Sequence, residues 1–247
     1  MEHSKTCSLL EGFFGKDVMN CMLFVFRHAE TFDNNRGLFS GWRDSELTPK
    51  GLIQAEEIAK QLTQCKIDYA FTSHLKRAKQ TLKIVLKEHP AQRVFVDDRI
   101  IERCYGLLQG KKKSQIEAEN PAFFEQWHRG YSLAPPKGES LRMVETRTLV
   151  FLNDLKQWLK QHSGNVAISC HSNSIRCLRK VFENLNINQM CKLESPQDQA
   201  FIYNLDLGNL ELPCQKQEPP EAKWKGLLVP KNIRLATDNR NPLKKYY

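Results

Sequence analysis

Short apolar segments alternate with amphipathic helical segments along most of this 247-residue chain. Apolar runs of this length, bounded by polar residues, are typical of strands that are buried on both faces of a sheet. Strands that alternate with helices indicate βαβ units. The sequence therefore predicts an α/β fold of three layers, in which helices cover both faces of a mostly parallel central sheet. The predicted strands are residues 21–26, 68–73, 93–98, 165–170 and 200–207.

The predicted helices begin at residues that commonly cap helices. Thr48 is a plausible N-cap, and Pro49 suits the first helical position because its fixed backbone angle and missing N–H are tolerated there. Ser73 is predicted to cap the next helix. Apolar residues at helical spacing predict two further helices, over about 141–158 and 173–185.

Composition and charge narrow the function classes. A formal charge of +9 attracts anions such as nucleic acid, anionic lipid or phosphorylated metabolites. Aromatic residues do not interleave with the basic ones, which disfavours nucleic acid as a partner. No apolar run approaches the roughly 20 residues that a membrane-spanning helix needs, and no secretory signal is recognised. We therefore expect a cytoplasmic protein that is not bound to a membrane.

The eight cysteines follow no metal-binding or redox pattern. None forms a Cys-x-x-Cys pair, and no cysteine and histidine group has zinc spacing. Free thiols in a reducing compartment are therefore expected, and no metal. Residues 1–20 are predicted to be an N-terminal extension and 21–207 the main folded domain. Residues 208–247, rich in proline, lysine and polar residues, are predicted to form a mobile or loosely docked tail.

Two histidines follow directly after predicted strands. His28 comes at the end of the first strand, after Arg27, and His171 comes at the end of the fourth. Because ligands bind at the carboxyl ends of parallel strands, these two side chains can meet at one edge of the sheet. A single histidine is more often a solvated or hydrogen-bonded residue than a catalyst. Two at equivalent strand ends favour a site.

Five motifs in a fixed order extend this hypothesis. Together they resemble the histidine phosphatase superfamily, in particular its cofactor-dependent phosphoglycerate mutase branch, over roughly residues 21–206. The resemblance implies the three-layer fold of that family. The motifs are "FRHAETFDNNRGLFSGWRDSELTPKG", "TSHLKRAKQT", "IERCYGLLQG", "QWHRGYSLAPPKGESL" and "CHSNSIRCL".

The resemblance implies roles for the residues at these positions. His28 would be the nucleophile, because an imidazole nitrogen can hold a phosphoryl group as phosphohistidine. Arg27, Arg77 and His171 would surround the transferring phosphoryl group, whose charge spreads over three oxygens. Glu102 would be the general acid and base. Without the resemblance, Glu102 is better explained as a surface carboxylate that pairs with the neighbouring Arg103.

A second set of residues would bind the remainder of the substrate. The resemblance assigns Tyr105, Lys113, His128 and Arg129 to the substrate's carboxylate. Ser40 and Gly41 would line the phosphate loop, and Asn34 and Asn173 would donate further hydrogen bonds. No metal is needed in this scheme, because arginines neutralise the charge.

Three positions depart from the family's pattern. Ala29 and Ser172 replace glycines, and His128 replaces the first arginine of a pair. If the backbone at Ala29 needs a positive φ, alanine there costs on the order of 1 kcal/mol. The change at His128 turns a permanent charge into a titratable one at the place that recognises the phosphoglycerate.

Three functions stay open on the sequence. The first is a mutase of glycolysis and gluconeogenesis that interconverts 3- and 2-phosphoglycerate through phosphohistidine, primed by 2,3-bisphosphoglycerate. The second is a phosphatase that hydrolyses small phosphomonoesters on the same scaffold. The third is an inactive relative that binds phosphorylated ligands. The expected partner is a small phosphorylated metabolite, and the expected state is a monomer or a small homo-oligomer.

Overall fold

A computed structural model of the chain describes residues 20–89 and 93–213. Five strands form one sheet in the order β3-β2-β4-β1-β5. Strands β1 to β4 run parallel, and β5 pairs antiparallel with β1 at the edge. The predicted mostly parallel sheet is confirmed. The strands are β1 (Asn20–Arg27), β2 (Tyr69–Thr72), β3 (Arg93–Val96), β4 (Val166–Cys170) and β5 (Ala200–Asp206).

Eight α-helices lie within the described residues. The first follows β1 directly, and α4 to α6 fill the long connection between β3 and β4. Short 3-10 turns cover Leu86–Glu88, Asp98–Ile100 and Gly106–Leu108. The helices are α1 (Phe32–Asn35), α2 (Pro49–Leu62), α3 (Lys76–Val85), α4 (Lys113–Glu119), α5 (Pro121–His128), α6 (Leu141–His162), α7 (Ser172–Phe182) and α8 (Ile187–Lys192).

The alternating sides of β1 meet two different apolar cores. Leu23 and Val25 lie in a cluster with residues of α6 and α7, such as Leu155. Phe24 and Phe26 lie in a second cluster with residues of α2 and α3. Successive strand residues point to opposite faces, so a strand covered on both sides must be apolar throughout. The structure thus confirms helices on both faces of the sheet.

Helix caps agree with the sequence at α2 and differ at α3. The Thr48 hydroxyl accepts a hydrogen bond from the backbone N–H of Gly51 (3.0 Å), and Pro49 is the first helical residue. The predicted cap at Ser73 is wrong, because α3 begins at Lys76 and Leu75 precedes it without a side-chain cap. Ser73 lies at the tip of β2, where its hydroxyl reaches another strand's histidine instead.

A network of buried ion pairs stands behind the segment that follows β3. Arg99 binds the carboxylates of Asp97 and Asp154, and Arg147 binds Glu139 (2.9 Å), all within the core. Arg147 also donates to the backbone carbonyls of Arg99 (2.8 Å) and of the glutamate three residues later (3.1 Å). Buried charges require such partners. These bonds fix the backbone that presents Glu102.

The ends of the chain are only partly described. Leu212 packs against the larger apolar cluster, so residues just after β5 rest on the domain. The proposed extension before residue 20 and the tail from 214 onward lie outside the described residues, and their behaviour stays a prediction. All six cysteines in the described ranges are free thiols, while Cys7 and Cys214 lie outside them. No helix within the described residues is long and apolar enough to cross a membrane.

Candidate active site

The two predicted histidines meet at the carboxyl edge of the sheet. His28 follows β1 and His171 follows β4, and these strands are parallel neighbours. The centroids of the two imidazole rings lie 5.1 Å apart, and both side chains are buried. The edge rule for parallel sheets therefore places both side chains correctly.

The His28 ring is held in one orientation. Its Nδ1 lies 2.8 Å from the carbonyl oxygen of Ala29, so the proton is on Nδ1. Its Nε2 then carries a lone pair, which accepts a hydrogen bond from Nε of Arg77 (3.1 Å). Burial, together with the charges of Arg77 and Arg27, lowers the pKa of His28 well below its usual range. The ring is neutral near pH 7, as a nucleophile must be.

The guanidinium of Arg77 is fixed by the loop that follows α1. Its two terminal nitrogens donate to the carbonyls of Arg43 and Gly41, each at 2.7 Å. Burial lowers the pKa of Arg77 to about 10, so the side chain keeps its charge at neutral pH. Gly41 has a φ of +53°, and a Cβ there would lie 2.3 Å from the side chain of Gln109. This loop therefore requires glycine at position 41.

His171 is oriented by a hydroxyl group. Ser73 Oγ lies 2.7 Å from Nε2 of His171 and also accepts from the backbone N–H of Leu75 (3.4 Å). The described residues offer the buried serine proton no acceptor other than Nε2, so the imidazole proton is on Nδ1. That Nδ1 is buried and has no hydrogen-bond partner in the described part of the chain. Burial lowers the pKa of His171 well below its usual value. The neutral ring thus keeps one N–H for a ligand.

Glu102 faces these histidines and not the solvent. Glu102 is only 7% exposed. Its Oε1 accepts hydrogen bonds from Nδ2 of Asn173 (2.9 Å) and from the backbone N–H of Arg103 (2.8 Å). The Arg103 side chain turns away and donates to the carbonyl of Glu139 (2.6 Å). The alternative surface pair with Arg103 is therefore wrong.

The chemistry of this centre favours an anion. Donor atoms of His28, Glu102 and His171 lie within 4.8 Å of one another, a spacing that a metal ion could also use. However, Arg77 contacts His28 directly, and Arg27 places a second guanidinium at the same cavity. Nε of Arg27 and Oγ of Ser40 are buried without partners in the described residues. Cationic groups and unused donors together fit phosphate.

One cavity of about 130 Å³ collects the predicted residues. His171 is not in its wall but its ring contacts His28. Asn34 uses its side-chain oxygen to cap α1, so only its amide nitrogen is left for a ligand. The predicted residues that line the cavity are Arg27, His28, Asn34, Ser40, Gly41, Arg77, Glu102, Tyr105, Lys113, His128, Arg129 and Asn173.

The far end of the cavity holds the proposed carboxylate site. Burial, then the charges of Lys113 and Arg129, lowers the pKa of His128 to about 3, so this ring is neutral. Burial also lowers the pKa of Lys113. Arg129 is paired with Glu194 at 2.6 Å. The Tyr105 hydroxyl accepts a hydrogen bond from the same amide that binds Glu102 (3.2 Å). The group is cationic, but one of its charges is already neutralised.

The departures from the family pattern have mild structural effects. Ala29 is not among the described residues with a positive φ, so the backbone cost considered for alanine does not arise. It is buried beside Leu47 and Ala55, where a methyl group packs well. Ser172 is the first residue of α7 and lines the cavity.

Several lining residues were not predicted. Arg176 is buried on α7, donates to Oδ1 of Asn173 (3.1 Å), and lines the cavity. Its position three residues after Asn173 on one helix was a usable signal. Glu194 lines the cavity, and Gln197 donates to the carbonyl of His28 (3.3 Å). Both lie in an irregular segment, where no periodicity indicates which side chains point inward.

Comparisons with known proteins agree with this geometry. The family model described as histidine phosphatase superfamily, branch 1, matches residues 23–213. A 2,3-bisphosphoglycerate-dependent phosphoglycerate mutase of Chlamydia trachomatis serovar L2b is 32% identical over 212 residues, which cover 74% of this chain and 92% of the relative. A phosphoglycerate mutase of Schizosaccharomyces pombe is 35% identical over 193 residues, covering 75% and 90%.

A solved structure with a different activity is also similar. Mycobacterial glucosyl-3-phosphoglycerate phosphatase superposes with a TM-score of 0.63 at 25% identity, covering 71% of this chain and 85% of that one. Mutase and phosphatase therefore both occur among proteins of this architecture.

Proposed function

Since this chain belongs to branch 1 of the histidine phosphatase superfamily, we propose that it is a 2,3-bisphosphoglycerate-dependent phosphoglycerate mutase. It would interconvert 3-phosphoglycerate and 2-phosphoglycerate through a phosphohistidine at His28. The observation that carries this proposal is a neutral His28 in a cavity that is also lined by the cations Arg27, Arg77, Lys113, Arg129 and Arg176. The chain aligns with most of the length of two relatives that are named phosphoglycerate mutase, one of them 2,3-bisphosphoglycerate-dependent.

The first chemical step would form phosphohistidine. Nε2 of His28 attacks phosphorus while Nδ1 keeps its proton, which it donates to the carbonyl oxygen of Ala29. The P–N bond forms as the bond from phosphorus to the substrate oxygen breaks, and protonated Glu102 gives its proton to that oxygen. Arg77 and Arg27 would stabilise the negative charge that develops on the equatorial oxygens of the phosphoryl group. The Nδ1–H of His171 would donate a hydrogen bond to one of these oxygens.

The second step would run in reverse. The Glu102 carboxylate takes the proton of the attacking hydroxyl, whose oxygen bonds to phosphorus as the P–N bond breaks. 2,3-Bisphosphoglycerate would supply the phosphoryl group that first loads His28. The distal residues Lys113, Arg129 and Arg176 fit the second anionic group of such a ligand, because they face the same cavity. A retained, reoriented phosphoglycerate then gives the other isomer.

The proposed reaction also implies a pathway, a location and a class of partner. The chain would act in glycolysis and gluconeogenesis, in the cytoplasm, on a small phosphorylated metabolite and without a metal. It would work as a monomer or small homo-oligomer, with neither nucleic acid nor membrane as a partner.

A phosphatase is the second candidate, and a specific contact favours it. Arg129 is already paired with Glu194, which weakens the cationic end that must retain phosphoglycerate. If water attacks phosphohistidine before reorientation, the products are an alcohol and phosphate. An inactive binding relative is disfavoured, because the nucleophile and the acid and base residue converge on one cavity.

Product analysis separates these functions. The protein is incubated with 3-phosphoglycerate, with and without 2,3-bisphosphoglycerate, and both 2-phosphoglycerate and free phosphate are followed. We expect isomer to form faster than phosphate, to require the primer, and to vanish in His28→Ala. Phosphate as the main product would assign the phosphatase. Neither product, with no acid-labile phosphoprotein, would assign the binding relative.

A further inference from the structure

The segment 193–197, between α8 and β5, contributes Glu194 to the wall of the cavity. It has no regular structure, and three arginines, two of which line the cavity, donate to its backbone carbonyls. Its last residue, Gln197, also donates to Oδ1 of Asn34 (3.1 Å). The carbonyl bonds run from Arg176 to Leu193 (3.0 Å), from Arg179 to Glu194 (3.0 Å) and from Arg27 to Ser195 (3.2 Å). These three arginines therefore fix the position of the segment beside the cavity.

The segment 193–197 places the exposed carboxylate of Glu194 at the cavity. An oxygen of Glu194 lies 2.6 Å from a terminal nitrogen of Arg129, and both residues line the cavity. The Glu194 side chain is 72% exposed and that of Arg129 is 35% exposed. The Glu194 carboxylate is therefore already paired with the Arg129 guanidinium, to which a substrate's carboxylate would bind.

We propose that Glu194 is a specificity-determining residue, which acts as an internal competitor for Arg129. This inference rests on the proposed function, because it concerns the substrate's second anionic group. A phosphomonoester that also has a carboxylate must displace Glu194 and approach a like charge. A phosphomonoester with a neutral remainder leaves the pair intact. Glu194 thus reduces the preference for carboxylate-bearing substrates without touching the phosphoryl group.

The size of the effect follows from the exposure of the pair. Exposed ion pairs contribute little, and together with the repulsion removed they correspond to roughly a 3- to 10-fold change in affinity. The opposing cations Lys113 and Arg176 line the same cavity, so an acidic ligand still binds. The substitution Glu194→Gln keeps the side chain's size and removes its charge.

Binding of two matched ligands tests the inference. Titration calorimetry compares 3-phosphoglycerate with glycerol 3-phosphate, which has a hydroxymethyl group in place of the carboxylate. We expect Glu194→Gln to lower the Kd of 3-phosphoglycerate by 3- to 10-fold and to change that of glycerol 3-phosphate less than twofold. The charge-matched control is Glu57→Gln, on the surface of α2 in a pair with Lys60, which should change neither.

Two further outcomes decide the inference. Equal shifts for both ligands, or none for 3-phosphoglycerate, would overturn it. In an Arg129→Ala background only the repulsion between Glu194 and the ligand's carboxylate is left, so the effect of Glu194→Gln on 3-phosphoglycerate should be smaller. An undiminished effect would count against competition for that guanidinium. Because the readout is binding, absence of isomerase activity would reject the proposed mutase while leaving this inference to be judged on the two dissociation constants.

Discussion

At the scale of single residues, one hydroxyl sets the role of a histidine. Ser73 directly follows β2, and its Oγ lies 2.7 Å from Nε2 of His171 in the core. That contact leaves Nδ1 as the nitrogen that can donate to a phosphoryl oxygen, and Nδ1 has no other partner in the described ranges. Ser73 does not touch the reacting atoms. It is a positioning residue, and its effect should be visible only through His171.

Removal of that hydroxyl should affect turnover more than binding. We expect Ser73→Ala to lower kcat by about 10-fold or more with KM changed less than threefold, because the lost hydrogen bond is worth about 1–3 kcal/mol when its partner stays buried. The control is Ser169→Ala, which removes a buried hydroxyl bonded to the carbonyl of Ala78. Steady-state kinetics on both variants check this. Equal losses would mean that packing, not orientation, is responsible.

At the scale of elements, the start of α2 is pressed against the loop that follows His28. A Cβ at Gly51 would lie 2.1 Å from the carbonyl oxygen of Glu30. The backbone N–H of Thr48 donates to that same oxygen (2.9 Å). Only a glycine lets the first turn of the helix come this near. The helix thereby supports the loop that leads away from His28.

This contact reverses the usual effect of a helix substitution. Alanine in place of a helical glycine normally stabilises by about 1 kcal/mol. We expect Gly51→Ala to destabilise by about 1–3 kcal/mol, because backbone atoms must move apart, and to lower activity as well. Urea unfolding and kcat are the measurements. Glu57→Ala, exposed on the same helix, should stay within about 0.5 kcal/mol. Stabilisation by Gly51→Ala would contradict the contact.

At the scale of the whole molecule, three neutral histidines make folding sensitive to acid. His28, His171 and His128 all have a pKa lowered by burial, and nearby cations lower it further. In the unfolded chain a histidine takes up a proton near pH 6.5. The stabilisation is therefore complete above pH 6.5 and is lost as the pH falls, because the unfolded state binds protons that the folded state excludes.

The contribution of His128 can be isolated. Each such histidine adds up to about 1.4 kcal/mol per pH unit to the slope of the free energy of unfolding below pH 6.5. For His128 the window extends down to its pKa of about 3. We expect His128→Gln to reduce the slope between pH 6.5 and 5.5 by up to that amount. Urea titrations at several pH values, in buffer without phosphate, check this, and an unchanged slope would contradict a neutral His128.

Patterns in the chain predict the fold better than they predict the site. Apolar runs located all five strands. The central strands β1, β2 and β4 are apolar because both of their faces are buried, whereas the edge strands β3 and β5 are apolar although only partly buried. The edge rule then brought His28 and His171 together. Glu102 and Arg77 needed the family resemblance, since nothing local separates them from ordinary charged residues. The bond of Ser73 and the side chain of Glu194 depend on how distant segments come together, which no local pattern contains.

The order of strands in the sheet has a consequence for biosynthesis. β1 leaves the ribosome first, yet Leu23 pairs with Val166 and Phe24 with Ile202. An apolar central strand must therefore wait, without a neighbour, until nearly all of the domain has been translated. Because these strand pairs form late, folding is slow and an unpaired apolar strand stays exposed until they form. Any pause in translation before residue 200 therefore lengthens the interval in which the nascent chain can aggregate.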